Sequence, residues 1–520
     1  MNFPFRRSAT RSLVWLAAAS TLALPLPVSL AQSVSLPALG DVDGMSISAE
    51  RRLGDSIARE IFRDPDYLDD PVLMDYLNDI WQPLLVASRA QGNIPPELSD
   101  RLAWQLVLSR DKRVNAFALP GGYMGVQLGL IAVTESAPEL ASVLAHEMSH
   151  VSQRHIARML TKQDKVAPWI MGAMILGVLA ARSNVDVANA AIAGSQAVAV
   201  QNQLNFSRDM EREADRVGFG VLTGAGFDGL GFVSMFDKLQ QGSRLNDDGS
   251  FPYLRSHPLT TERVADMRAR IPLAGATPTG PRVGAPVLAS AAPPKEVHLL
   301  MAARARVLAE NGPDRQRAWA RNADAPQAKP ADVYAAALSA LRLGQARQAL
   351  NLASRGRANA TPAAHKVWDL LLLEVLLSPG ARGLDDALLG RLRDQVLAGG
   401  TRADLMLGAQ AALQTRTDLT QTASRLQQWA VAQPKDAMAW QMLSRVQAAL
   451  GQRLRSVRSE AEARAAQLDY AGAADRLRAA QLLPVADRNA DPMELAIVDV
   501  RKREMEALAR ESERDSAREE

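Results

Sequence analysis

The sequence predicts a mostly α-helical protein of the α+β class, with a small sheet in its N-terminal half and an α-helical solenoid after it. Three observations carry this. Alanine, leucine and arginine abound while aromatic residues make up only 5% of the 520, a bias that suits stacked helices rather than a sandwich or barrel. Residues 114–131, "VNAFALPGGYMGVQLGLI", instead read as two extended runs flanking Pro120-Gly121-Gly122, the pattern of a small hairpin or sheet. Past the Pro/Ala/Gly-rich stretch 271–296, every segment reads as alanine-rich helix. A hydrophobic content of 47% and a charged content of 22% are those of a globular protein, and the length allows two or three domains.

Arg6, Arg7 and Arg11 precede an apolar run from Leu13 to Leu24, and Ser29-Leu30-Ala31 places small residues where a signal peptidase needs them. Pro25 and Pro27 close a run too short for a membrane anchor, so residues 1–31 read as a signal peptide cleaved after Ala31. Its removal takes three arginines and no acid, leaving 57 basic against 57 acidic residues. This balance points to no nucleic-acid partner. With no cysteine there is neither a disulfide framework nor a lipid-modified N-terminus. An exported, cysteine-free chain of this size fits a Gram-negative periplasm.

Residues 48–109 read as helical, with a turn at "DPDYLDDP" (64–71). Ser136-Ala137-Pro138-Glu139 forms a capping box that opens a helix. A second helix, about 208–222, has Met210, Ala214, Val217 and Val221 on one stripe and ends near Gly224. In the C-terminal half, "ADVYAAALSALRLGQARQALNLA" (331–353) and "DAMAWQMLSRVQAALG" (436–451) share tetratricopeptide-like spacing. "AAQLDYAGAADRLRAAQLLP" (465–484) reads as a closing unit with a Tyr-x-Gly turn. The resulting division is signal peptide 1–31, N-terminal domain 32–272, linker 273–295, repeat domain 296–485 and charged helical tail 486–520.

The helix opened by Ser136 carries "VLAHEMSHVSQRH". His146 and His150, four apart, lie on one helix face and converge on one cation at about 2.0–2.1 Å, a distance that suits zinc. Glu147 can reach a water at that centre and act as its general base. By composition alone such a motif appears on the order of once in a few hundred sequences of this kind. A third ligand is required. The histidine-type extension fails, because Ile156 and Gln153 stand where a histidine and a glycine would be; His155 reads as an outer contact or a surface residue. The glutamate-type extension fits "DMEREADRVG". Glu211 would be the ligand, and Asp215 would accept the free N–H of a ligand histidine. Glu213 reads as a solvated charge. Arg263 could stabilise an oxyanion, pair with an acid, or simply lie at the surface.

Together, "AHEMSHVSQRH", "FSRDMEREADRVG", "NAFALPGGY" and "LRSHPLTTER" resemble the motifs of periplasmic zinc metallopeptidases of the beta-barrel assembly-enhancing kind. These are soluble relatives of the CAAX prenyl protease and HtpX, joined to C-terminal tetratricopeptide repeats. The likeness covers residues 46–270 in motifs and 295–485 in architecture. It implies a gluzincin-type domain with one Zn2+ per chain, held by His146, His150 and Glu211, and Glu147 as catalytic base. It further implies that His257 can take the fourth zinc position and keep the site latent, with Arg263 beside that switch and Asp215 behind the ligands. Ser149 stands where many relatives have glycine. Asn115, Ala116, Phe117, Gly121 and Gly122, within and before "PGGYMGVQLGL", would belong to the edge strand that aligns substrate. Substrates and partner follow from the resemblance alone: misassembled outer-membrane proteins, and the barrel assembly machinery docked through the repeats. The alternative is a non-proteolytic chaperone or scaffold with a plugged site.

The apolar stretch 166–181, sixteen residues long, falls short of a membrane span. It admits three readings: a buried hairpin, a lip in peripheral contact with the membrane, or an inserted hairpin. An integral prenyl-protein protease is disfavoured, since the long apolar spans it needs are missing.

Overall fold

The computed structural model describes residues 45–162, 207–245, 250–271, 292–323 and 328–519. The signal peptide, the apolar stretch 166–181 and nearly all of the linker 273–295 lie outside them. Among the described residues no helix is long and apolar enough to cross a membrane.

The N-terminal half is built on α1 (Ile47–Arg63), β1 (Tyr67–Leu68), α2 (Pro71–Ala90), α3 (Pro96–Arg101), β2 (Gln105–Ser109), β3 (Ala116–Ala118), β4 (Tyr123–Gln127), α4 (Leu128–Val133), α5 (Ala137–Ser152) and α6 (His155–Lys162). It continues with α7 (Arg208–Gly224), α8 (Leu230–Leu245), α9 (Tyr253–Ser256) and α10 (Thr261–Ala269). The four strands form one sheet in the order β1-β2-β4-β3. β2 and β4 are parallel, and both outer pairs are antiparallel. The expected hairpin is present as β3 and β4, joined through a Pro120–Gly122 turn in which Gly121 takes φ +73°, a conformation that favours glycine.

Two readings of local structure are corrected. Residues 48–109 are not all helical, because "QLVLS" forms β2, with Leu106 and Leu108 buried in the main core and Val107 on the opposite face. A short apolar run of this kind does not declare its period. Residues 128–131, read as extended, lie in α4.

Core packing explains the layers. One face of the sheet meets α2 and α5, while the other is covered by α1 and α6 through Leu53, Ile57, Ile156 and Leu160. α5 is the central helix, buried at all but one of its residues. Ser136 caps it by accepting from Glu139 N–H, and the Glu139 carboxylate accepts from Glu135 N–H rather than closing the box on Ser136.

The C-terminal half is helical throughout its described residues. Two of its units share one form. Helices Pro330–Arg342 and Ala346–Asn359 are joined at Gly344 (φ +75°), and helices Ala437–Ala449 and Arg453–Ala466 at Gly451 (φ +75°). Equal helix lengths and equal turns are the mark of a solenoid. The Tyr470-x-Gly472 segment is not a turn: it lies in the first turn of helix Tyr470–Gln481, and the chain reverses at Leu468 (φ +63°). The charged C-terminal residues form helix Pro492–Glu519, which buries Val498 and Met505 against the preceding helices.

The main core runs without a break from α2 and α5 into the helices that follow residue 294. Arg304, 2% exposed, reaches Asp70 at the N-cap of α2 (2.7 Å) and Glu374. Arg402 pairs with Asp69 and Asp436, each at 2.7 Å. Further along, Arg59 of α1 donates to Leu468 O (3.1 Å). The solenoid therefore touches the N-terminal half at both α2 and α1.

Candidate metal centre

His146 and His150 project from the face of α5 that packs on α7. The close approach of these helices depends on Gly218, where a Cβ would stand 3.1 Å from Ala145 O. It brings Glu211 and Asp215, one turn apart on α7, against the histidines. His257 arrives from the end of α9, where its N–H donates to Tyr253 O (2.9 Å) and its ring stacks on Tyr253 at 4.6 Å. Ser149 bonds back to Ala145 O (2.7 Å), so its hydroxyl is satisfied within the helix.

One ligand atom each from His146, His150, Glu211 and His257 lies within 4.8 Å of all the others, and all four residues are buried. His146 Nε2 is 3.0 Å from His150 Nε2 and 3.4 Å from His257 Nδ1. Glu211 Oε1 is 2.9 Å from His257 Nδ1 and 3.4 Å from His150 Nε2. Donors around a tetrahedral zinc with bonds of about 2.0–2.1 Å would stand roughly 3.3 Å apart. The donor set fits that cation in type and spacing.

Charge points the same way. Glu147, Glu211 and Asp215 are buried with Arg263 as the cation among them, which leaves two negative charges to balance when the imidazoles are neutral. Burial opposes a charge on His146, yet Asp215 and Glu211 draw it up to about 9. Burial pushes His150 well below its ordinary value, with Glu211 opposing. Burial also opposes the charge on Glu211, but His257, His146 and His150 hold its carboxyl well below the usual range.

The surrounding side chains fix the donors. Asp215 Oδ1 lies 3.0 Å from His146 Nδ1. Arg263, 4% exposed, grips Asp215 through Nε (2.6 Å) and Nη2 (2.8 Å), and its Nη1 lies 2.7 Å from Glu211 Oε2. Arg263 is thus buried and paired with two acids rather than lying at the surface. Glu147 is fully buried; Ala118 N–H of β3 donates to its Oε2 (2.9 Å). Its Oε1 has no hydrogen-bond partner among the described residues and lies 3.4 Å from His257 Nε2.

The strand residues divide. Ala116 and Phe117 lie in β3, an edge of the sheet, with Asn115 just before it. β4 is interior, so most of "PGGYMGVQLGL" is not edge strand. Gly121 packs on Arg51 of α1 and Gly122 on Leu102 and Ala103, away from that edge. The buried Asn115 Oδ1 has no hydrogen-bond partner among the described residues. Two further residues join the centre: His155, whose two readings included an outer contact, and Glu213, which was read as a solvated charge. His155 Nδ1 meets His150 Nδ1 at 2.8 Å, and its Nε2 meets Glu213 Oε2 at 3.0 Å. Glu213 is thus an ion-pair partner rather than a solvated charge. The missed signal is Arg154, whose left-handed conformation (φ +52°) ends α5 and swings His155 back over the site.

Comparison with known proteins agrees with the motifs. Residues 84–271 match the model of Peptidase family M48. The chain is 34% identical over 269 residues to a putative beta-barrel assembly-enhancing protease of Vibrio cholerae, covering 50% of this chain and 52% of that protein. It is 31% identical over 268 residues to the beta-barrel assembly-enhancing protease of Escherichia coli, covering 51% and 53%. The mitochondrial metalloendopeptidase OMA1 of Arabidopsis thaliana is 32% identical over 162 residues, covering 31% and 30%. The chain thus spans about half the length of the beta-barrel assembly-enhancing proteases it matches.

Proposed function

We propose that the protein is a zinc-dependent endopeptidase of the periplasm, latent at rest, that removes misassembled outer-membrane proteins. The observation that carries this reading is the buried His146–His150–Glu211–His257 donor set, with Glu147 Oε1 facing it 3.4 Å from His257 Nε2. Substrate class, compartment and docking to the barrel assembly machinery rest on the resemblance to beta-barrel assembly-enhancing proteases. The signal peptide rests on the pattern of residues 1–31, and the tetratricopeptide character of residues 296–485 on the spacing within 331–353 and 436–451.

A bound zinc would supply Lewis-acid polarisation of the scissile carbonyl. The chain's own groups do the rest. Glu147 Oε1 takes the proton of the attacking water and passes it to the leaving nitrogen, while Ala118 N–H keeps Oε2 turned away. Asp215 holds His146 in the tautomer whose Nε2 faces the cation, and Arg263 holds Asp215. The edge strand β3 offers backbone for an extended substrate. Such pairing gives affinity without much sequence demand. His257 fills the space between Glu147 and the other donors, and this supports latency. The same placement favours a second reading, a chaperone or scaffold whose plugged site never cuts.

Zinc content and casein cleavage of wild type, Glu147→Gln and His257→Ala separate the two. The peptidase reading expects one zinc in each, faster cleavage by His257→Ala and none by Glu147→Gln. Equal cleavage by Glu147→Gln and wild type would sink it.

A further inference from the structure

We propose that His155 is a positioning residue for the metal ligand His150, and that Glu213 in turn orients His155. The inference rests on the zinc reading above and extends it to two side chains outside the donor set.

The proton assignments follow from geometry. His150 turns Nε2 toward His146 and Glu211, at 3.0 and 3.4 Å. The nitrogen offered to a cation must be bare, so the proton sits on Nδ1. Nδ1 faces His155 Nδ1 at 2.8 Å. Two N–H groups cannot share that contact, so His155 Nδ1 accepts and its proton lies on Nε2. From there it is donated to Glu213 Oε2 (3.0 Å), which Arg158 Nη1 also holds, at 2.9 Å. A single tautomer pattern satisfies the whole row.

The two histidine ligands are therefore braced differently. His146 meets a buried carboxylate directly, and Arg263 locks that carboxylate. His150 meets at its Nδ1 the fully buried imidazole of His155, and Glu213 at the far end of that ring is part exposed. The row is anchored where the chain leaves α5: Arg154, in its left-handed conformation, is held by Glu50 at 3.0 Å. Without His155, the His150 Nδ1–H would be buried without this acceptor, and the ring could rotate away from the cation. Outer partners of this kind typically govern metal affinity by about 10- to 100-fold.

The test measures zinc affinity of the full protein by competition with a chelator, beside thermal unfolding of the zinc-free form. His155→Phe keeps the ring shape and removes the acceptor. His155→Asn places a carbonyl oxygen near the Nδ1 position. Glu213→Ala removes the far anchor at a part-exposed site and carries the test should His155→Phe fail to fold. The expected result is zinc affinity about 10- to 100-fold weaker for His155→Phe, a smaller loss for Glu213→Ala, and recovery to within a few-fold in His155→Asn. Zinc-free melting of Glu213→Ala should match wild type. If His155→Phe and Glu213→Ala bind zinc as tightly as wild type, the positioning role is overturned and the zinc reading stands. If wild type itself binds no zinc, the zinc reading fails and takes the relay with it.

Discussion

Replacing Arg263 by methionine should loosen α7 far more in the zinc-free protein than in the zinc-loaded one. The guanidinium is 4% exposed, makes three short contacts to Asp215 and Glu211, and packs 5.3 Å from the Phe236 ring. Methionine keeps much of that packing but leaves two buried carboxylates without their cation. Removing one partner of a buried ion pair costs about 3–5 kcal/mol. At about 1.4 kcal/mol per tenfold, that is roughly two to nearly four powers of ten in the local opening equilibrium. A chain of several packed units does not unfold in one step, so the assay is amide hydrogen exchange across Arg208–Gly224. Exchange in zinc-free Arg263→Met should be faster by that factor. A bound divalent cation would replace much of the lost charge, and zinc should recover most of the protection. Exchange within twofold of wild type in the zinc-free variant would refute the charge argument. A loss that zinc leaves unchanged would refute the proximity of cation and carboxylates.

Other perturbations probe the scaffold. Arg304→Met strands Asp70 and Glu374 in the core and should cost about 3–5 kcal/mol. Faster exchange at the start of α2 checks it, with exposed Arg317→Ala as a control near zero. Gly218→Val forces α7 away from Ala145 at about 1–3 kcal/mol, and should weaken zinc binding. Gly220→Ala, whose Cβ would meet only Gln91 Oε1 at 3.5 Å, should not. Buried His298 accepts from Tyr76 Oη through Nδ1 and donates from Nε2 to Thr134 O (2.9 Å). Burial lowers its pKa despite the Thr134 contact. The unfolded chain therefore binds the proton more readily, so the stability His298 contributes is full above about pH 6.5 and is lost as pH falls below it. The difference in opening free energy between wild type and His298→Gln, read from amide exchange around His298 and corrected for the intrinsic rate, should change over that window by at most about 1.4 kcal/mol per pH unit. A pH-independent difference would contradict the assignment.

The site was legible in the sequence wherever helix periodicity does the placing. His146 and His150 on α5, and Glu211 and Asp215 on α7, stand four residues apart and so share a face. Spacing says nothing about what happens where a helix breaks. His155 lies five residues beyond His150, and only the left-handed turn at Arg154 brings it back, so the sequence left it between an outer contact and the surface. Glu213, two residues from Glu211, faces away from the donors and finds His155 from the other side. The Ala118 N–H to Glu147 contact crosses from sheet to helix and has no local signature either. In the fold, β2 was hidden in a run whose three buried residues, Leu106, Val107 and Leu108, face both cores. The seat of the solenoid on α2 depends on Arg304 reaching across 234 residues to Asp70, which no local pattern encodes.

The most direct test of the account is anomalous diffraction at the zinc edge from crystals of the zinc-loaded protein. The account predicts one peak bonded to His146 Nε2, His150 Nε2, Glu211 and His257 Nδ1 at about 2.0–2.1 Å. A peak elsewhere, or no peak from a protein that keeps its fold, would contradict it.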